Sequence, residues 1–236
     1  LNTTLDPQLI KIVKNVWDDL RNANKFGSLI EIEGRVSEQL RGIREKSKDT
    51  LFEEQEGKIF ESFEKDYFNR LKNAVKKHST INAKSFIESK TLDSLTYLEI
   101  ITQKYDVAVA NPPYTDSGDY GKDLKTFIET QYKATYSFYS NLYSCFIKKC
   151  ADLIDINGKI ALVHPPTFMY IKTFEDTRKF ILDRYHISLF VEWGYLGMFN
   201  PSARVDSALY ILENHTIKGD SIFIKLNDLY EMKRKD

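Results

Sequence analysis

The chain has 236 residues, 42% of them hydrophobic and 13% aromatic, enough for one large domain or two small ones with a real core. Lys plus Arg (34) balances Asp plus Glu (34), which excludes a dedicated basic nucleic-acid arm or a polybasic membrane anchor but not a local binding site. No apolar run reaches the roughly 18–20 residues of a membrane span and no secretory signal is visible. The two cysteines, Cys145 and Cys150, exclude a disulfide framework, lack the spacing of a metal cluster and fit a reducing cytoplasm.

In chain order, residues 1–29 read as a helix and a short link, with Ile10, Val13, Val16, Trp17 and Leu20 at helical spacing and Gly27-Ser28 as its break. Residues 31–77 mix both charges. Phe52, Ile59, Phe60, Phe63, Tyr67, Leu71 and Val75 mark one stripe of a long amphipathic helix whose charges form its solvated face. A further helix is expected over 83–103. The pattern then changes. Residues 105–110 (YDVAVA) are short, apolar and β-rich, and prolines end them at once, the pattern of a buried strand. After a polar loop, 127–151 reads as one helix carrying Tyr132, Tyr136, Tyr139 and Tyr143 as a core stripe. Asn157-Gly158 is a turn, 159–163 a second buried strand, 174–185 a helix and 187–192 a third strand. Residues 207–212 and 221–226 follow as a hairpin-like pair. The order strand, helix, strand, helix, strand implies a parallel sheet with crossover helices. This gives an α/β fold, mostly parallel with an antiparallel strand near the end. It divides into a mainly helical part over 1–104 and an α/β part over 105–236.

The sharpest chemical feature is Asn111-Pro112-Pro113-Tyr114 at the carboxyl end of the first strand, the edge where open α/β sheets bind ligands. Two prolines fix φ twice and offer carbonyls without N–H groups, and Asn111 is pushed extended by the proline after it. The loop therefore presents a side-chain carbonyl, a backbone carbonyl and an aromatic face. That set suits a planar amine: two carbonyls accept both hydrogens of an exocyclic NH2 while Tyr114 stacks on the attached ring. The plainer reading is a strand-ending Asn-Pro turn.

This tetrapeptide after an apolar strand resembles the catalytic motif of S-adenosylmethionine-dependent N6-adenine DNA methyltransferases, and also occurs in enzymes that methylate glutamine side chains of release factors. Tyr143-Ser144-Cys145-Phe146-Ile147, Asn157-Gly158 with its strand, His164-Pro165-Pro166-Thr167-Phe168-Met169 and Gly194-Tyr195-Leu196-Gly197-Met198-Phe199 resemble later segments of the DNA enzymes. Phe26-Gly27-Ser28-Leu29 and the long helices look like the PglX-type phage-exclusion (BREX) and fused restriction–methylation enzymes.

The resemblance implies a partial Rossmann-like methyltransferase sheet and double-stranded DNA as partner. Its target adenine is flipped out of the stack, gripped by Asn111 and the Pro112 carbonyl, and enclosed by Tyr114, Phe199 and Pro165. It also implies cytoplasmic work within a restriction–modification or phage-defence system that can include partner subunits. Asn141 falls where relatives carry an acidic residue near the cofactor, S-adenosylmethionine. None of the ten glycines makes a glycine-rich turn after a buried strand. The chain also opens on Leu1, and no target-recognition region follows its last strand. The expectation is therefore the catalytic later half of a larger enzyme, inactive and weak in cofactor binding on its own. The rivals are protein glutamine N5-methylation and a non-catalytic nucleic-acid-binding or scaffold remnant. His164 reads as a satisfied buried histidine, the two cysteines as packing residues, and Arg204 as a solvated loop residue.

Overall fold

The computed structural model describes residues 85–134, 136–194, 205–215 and 219–226, together with Leu29, Glu38, Phe68, Asn69, Lys72 and Asn73. The expected helix over 1–29, most of that over 31–77, Phe199 and Arg204 lie outside the described residues. The chain divides into two compact units, Leu1–Gln103 and Lys104–Asp236.

In the first unit, helix α1 spans Ser85–Thr102 and buries Leu95 and Leu98, one turn apart. Thr102 Oγ1 donates to the Leu98 carbonyl at 2.9 Å, which satisfies a carbonyl in the last turn. Phe68 is buried, and Lys72 pairs with Glu99 of α1.

The second unit is a five-stranded sheet with helices. Strand β1 (Tyr105–Ala110) is followed by helices α2 (Lys122–Tyr132) and α3 (Leu142–Leu153), strand β2 (Ile154–His164) and helix α4 (Glu175–Arg184). Strands β3 (His186–Gly194), β4 (Ser207–Glu213) and β5 (Ile222–Lys225) complete it. The order across the sheet is β1-β2-β4-β3-β5. β1 and β2 are parallel, as are β3 and β5, while β4 runs antiparallel to both β2 and β3. Four strands thus share one direction, and their carboxyl ends form one edge. The core runs along β4 and β2, where Ala208, Tyr210, Leu212, Ile160 and Leu162 are all fully buried.

Three expectations fail. β4 and β5 form no hairpin: β4 inserts between β2 and β3, and β5 pairs on the far side of β3. β4 buries alternate side chains and needs a partner on each flank, whereas every residue of β5 is exposed. β1 is not a buried strand. Among the described residues it is paired on one side only, and Val107 and Val109, which share a face, are 56% and 75% exposed. Finally, 127–151 is not one helix. α2 stops at Tyr132, Tyr136 and Ser137 take φ of 71° and 50°, and a 3-10 turn (Phe138–Ser140) leads into α3. Left-handed backbone at two successive residues breaks any helical ladder. The stripe still lies in the core at Tyr132 and Tyr143, each 1% exposed.

The Asn157-Gly158 turn is a distortion within β2. Asn157 has φ of 65°, and the pairing of β1 with β2 shifts register between Tyr105 and Val107. A Cβ at Gly158 would lie 2.9 Å from the Asp155 carbonyl oxygen and 2.9 Å from Ile154 Cβ. The strand bends here because glycine admits that approach. Gly158→Ala should therefore lower the unfolding free energy by about 1–3 kcal/mol, the usual range for overpacking. Urea denaturation checks this, with the midpoint falling and the slope unchanged.

Candidate functional site

Asn111-Pro112-Pro113-Tyr114 leaves β1 at the carboxyl edge, beside the end of β2: Ala110 pairs with Leu162, and Tyr114 Oη donates to the Val163 carbonyl at 3.3 Å. Tyr114 Oη is also 2.9 Å from Asn111 Oδ1, to which it donates. Asn111 and Pro113 are exposed, Tyr114 is half-buried and Pro112 buried. Partial burial raises the Tyr114 phenol pKa, so the hydroxyl remains a donor at neutral pH. The site thus presents an amide on the surface, with an aromatic ring beside it.

The exit of this loop is fastened to the start of α3. Leu142 N–H donates to the Thr115 carbonyl at 3.0 Å, and Asp116 and Asn141 form an isolated antiparallel bridge. Asn141 caps α3: its Oδ1 accepts from Tyr143 N–H at 3.1 Å, and Ser144 Oγ accepts from Asn141 N–H, completing a capping box. The other end of the same amide donates from Nδ2 to Asp116 Oδ1 at 2.6 Å and to the Tyr114 carbonyl at 3.4 Å. Asn141 is 3% exposed. Both polar atoms of its amide are engaged within the protein, so Asn141 anchors the loop. With no glycine-rich turn after a strand among the described residues, they do not fit a cradle for S-adenosylmethionine.

Beneath the end of β2, His164 is fully buried. Its Nδ1 is 2.9 Å from the Pro165 carbonyl oxygen, which can only accept, so Nδ1 carries the proton. Nε2 therefore accepts from Tyr210 Oη at 2.6 Å. The imidazole stacks on Tyr143, centroids 4.2 Å apart and 10° between planes, and meets Phe168 edge-on at 5.1 Å. Tyr143 Oη in turn lies 2.9 Å from Thr167 Oγ1. This network fixes residues 163–167, whose Val163 carbonyl receives Tyr114, and puts half-buried Pro165 at the same edge as the tetrapeptide. The plain reading of His164 holds: it is a satisfied core residue.

Cys145 and Cys150 are buried thiols of α3 outside any disulfide, and burial pushes the Cys150 thiol up to about 11, leaving an unreactive packing group. The anchoring role of Asn141 was carried in the sequence by Asn-x-x-Ser before an apolar helix, a capping signature. Val163 was missed because a backbone carbonyl leaves no sequence signal.

A sequence model described as Eco57I restriction-modification methylase matches residues 7–199. The adenine-specific methyltransferase BrxX of Escherichia coli O9:H4 (strain HS) is 29% identical over 142 residues, 58% of this chain and 11% of that protein. The type II methyltransferase M.AccI of Acinetobacter calcoaceticus is 36% identical over 67 residues, 28% of this chain and 12% of that protein. The chain spans about a tenth of the length of these curated relatives. Among solved structures, the DrdV–DNA complex superposes with a TM-score of 0.46 at 21% identity, covering 58% of this chain and 16% of that one.

Burial lowers the His164 pKa from its ordinary 6.5 to about 4. The unfolded chain then binds a proton that the folded chain refuses between those values. Stability should be full above pH 6.5 and fall as the pH drops toward 4, by about 3 kcal/mol at most. Urea titrations at pH 7, 6, 5 and 4.5 measure the slope. A His164→Gln protein should be less stable at pH 7 yet flatter across that window.

Proposed function

This chain belongs to the Eco57I restriction-modification methylase family, and we propose that Lys104–Asp236 is the adenine-holding part of a DNA N6-adenine methyltransferase acting in the cytoplasm. The observation that carries the proposal is the surface amide of Asn111. It sits on a proline-stiffened loop at the carboxyl edge of β1, with the Tyr114 ring beside it and both flanks of the loop hydrogen-bonded to the sheet unit.

The chemistry follows from these groups. An adenine can be reached only outside the duplex, and extruding it costs a few kcal/mol. Stacking on Tyr114 returns about 1–3 kcal/mol of that. Asn111 Oδ1 accepts one hydrogen of the adenine N6 amine, and the Pro112 carbonyl is assigned the other. Pro112 is buried in the free chain, so the amide meets the base first. Two acceptors on the N6 hydrogens favour a nitrogen whose lone pair is less delocalised into the ring, which makes it a better nucleophile. No ionisable base is needed to prepare it. The contribution is positioning and preorganised electrostatics. S-adenosylmethionine would supply the methyl group. The described residues at the tetrapeptide act on the amine.

Phe199, outside the described residues, and Pro165 at the end of β2 are proposed as further walls of the base pocket. The restriction–modification or phage-defence setting, double-stranded DNA and any partner subunits belong to the same proposal. They are motivated by the family and by what BrxX and M.AccI are named for.

In the full-length protein, Asn111→Ala should leave DNA affinity nearly unchanged, because phosphate contacts elsewhere dominate it. It should slow single-turnover methylation by about 100-fold or more, comparable to removing one oxyanion-hole donor. Tyr114→Ala should also weaken base extrusion, read with a fluorescent base at the target position. Mass spectrometry of labelled DNA should find N6-methyladenine. Methyl groups on a release-factor glutamine instead, or normal turnover by Asn111→Ala, would end this reading.

A further inference from the structure

We infer that the Tyr114 hydroxyl is a positioning group: it holds the Asn111 amide with its oxygen, rather than its NH2, toward the base that stacks on the Tyr114 ring. The inference rests on the adenine-holding reading above and adds a task for the phenol that the ring alone does not perform.

An asparagine amide has nearly the same shape either way round, but one end accepts and the other donates two hydrogens. For an incoming N6 amine the difference is decisive. An oxygen accepts from it, whereas an NH2 sets donor against donor. Asn111 is exposed on the loop, so close packing does not choose between the two orientations. Its amide hydrogen-bonds Tyr114, among the described residues.

The phenol has one hydrogen and two acceptors within reach, Asn111 Oδ1 at 2.9 Å and the Val163 carbonyl at 3.3 Å. The two acceptors share that hydrogen, and the nearer one takes the larger part. Turning the amide over would bring NH2 against the hydroxyl and drive the phenol hydrogen to the longer Val163 contact. The structure shows the first of these arrangements, with Oδ1 and not Nδ2 at the hydroxyl and the phenol hydrogen directed to its shorter contact. An amide oxygen has a second lone pair, so Oδ1 can hold the phenol hydrogen and still accept from N6. The raised phenol pKa agrees, since the group stays protonated and keeps its hydrogen to donate. The polypeptide supports this from behind: the Asn141 amide pins the Tyr114 carbonyl, and the His164 network pins residues 163–167.

The test uses the full-length protein and a duplex bearing a fluorescent base analogue at the target. Tyr114→Phe keeps the ring, so DNA affinity and the extrusion signal should match the wild type. The single-turnover rate should fall about five-fold, the scale of one net hydrogen bond. Both oxygens of a carboxylate accept, so an Asn111→Asp protein has no orientation to lose, and adding Tyr114→Phe to it should change the rate less than about two-fold. An unchanged rate for the single Tyr114→Phe variant overturns the inference. So does an equal loss in both backgrounds, or a rate loss matched by lost extrusion. If Asn111→Asp is too slow to measure, neutron diffraction from the wild type and Tyr114→Phe decides. The wild type should show deuterons on the side of Asn111 away from Tyr114, and the variant a mixture. The same orientation in both contradicts the inference. A wild type that methylates no adenine at all is a different result: it removes the proposed function, while the diffraction arm still decides the orientation.

Discussion

The two ends of the Asn141 amide hold together the proposed site. One end caps α3 and the other grips Asp116 and the Tyr114 carbonyl. A polar loop beyond a strand end would otherwise be free to move, because two prolines remove the N–H groups that could tie it down. Placing a buried amide at the root of the loop makes the helix start and the loop one unit. A second tie, from Tyr114 to Val163, sets the loop against the neighbouring strand end. Under the proposed function this rigidity serves the chemistry, since a grip on an amine works only if its acceptors wait in place.

That second tie depends on the sheet order. β4 slots antiparallel between β2 and β3 and brings Tyr210 beside Leu162 and Phe190. Tyr210 Oη then meets His164, which holds the Pro165 carbonyl. A change deep in β4 is thereby linked to the shape of the surface next to the tetrapeptide. The link is hydrogen bonding and aromatic packing in a dry core, where an unpaired hydroxyl or imidazole would be strongly unfavourable. His164 remains neutral for that reason.

Much of this was legible in the sequence because the signals were local. Apolar β-rich runs cut off by proline pairs located β1 and β2, and the tetrapeptide that ended β1 supplied the proposed site. What sequence did not show was non-local. The placement of β4 depends on which strands lie on its flanks, and an apolar run such as YDVAVA reads alike at an edge or a centre. The break near Tyr136 was hidden by tyrosines whose spacing mimics a single helical stripe. Asn-x-x-Ser ahead of Leu142 also spelled a helix cap, a signal that stood beside the likeness of Asn141 to a cofactor contact.

The central claim is that the amide of Asn111 and the ring of Tyr114 together hold an adenine amine. Its most direct measurement is the structure of the full-length protein bound to its target duplex. The account predicts an extruded adenine stacked on Tyr114, its N6 about 3 Å from Asn111 Oδ1 and from the Pro112 carbonyl oxygen, at ordinary hydrogen-bond distance. An extruded base seated elsewhere, or an Asn111 amide pointing away from N6, would contradict it.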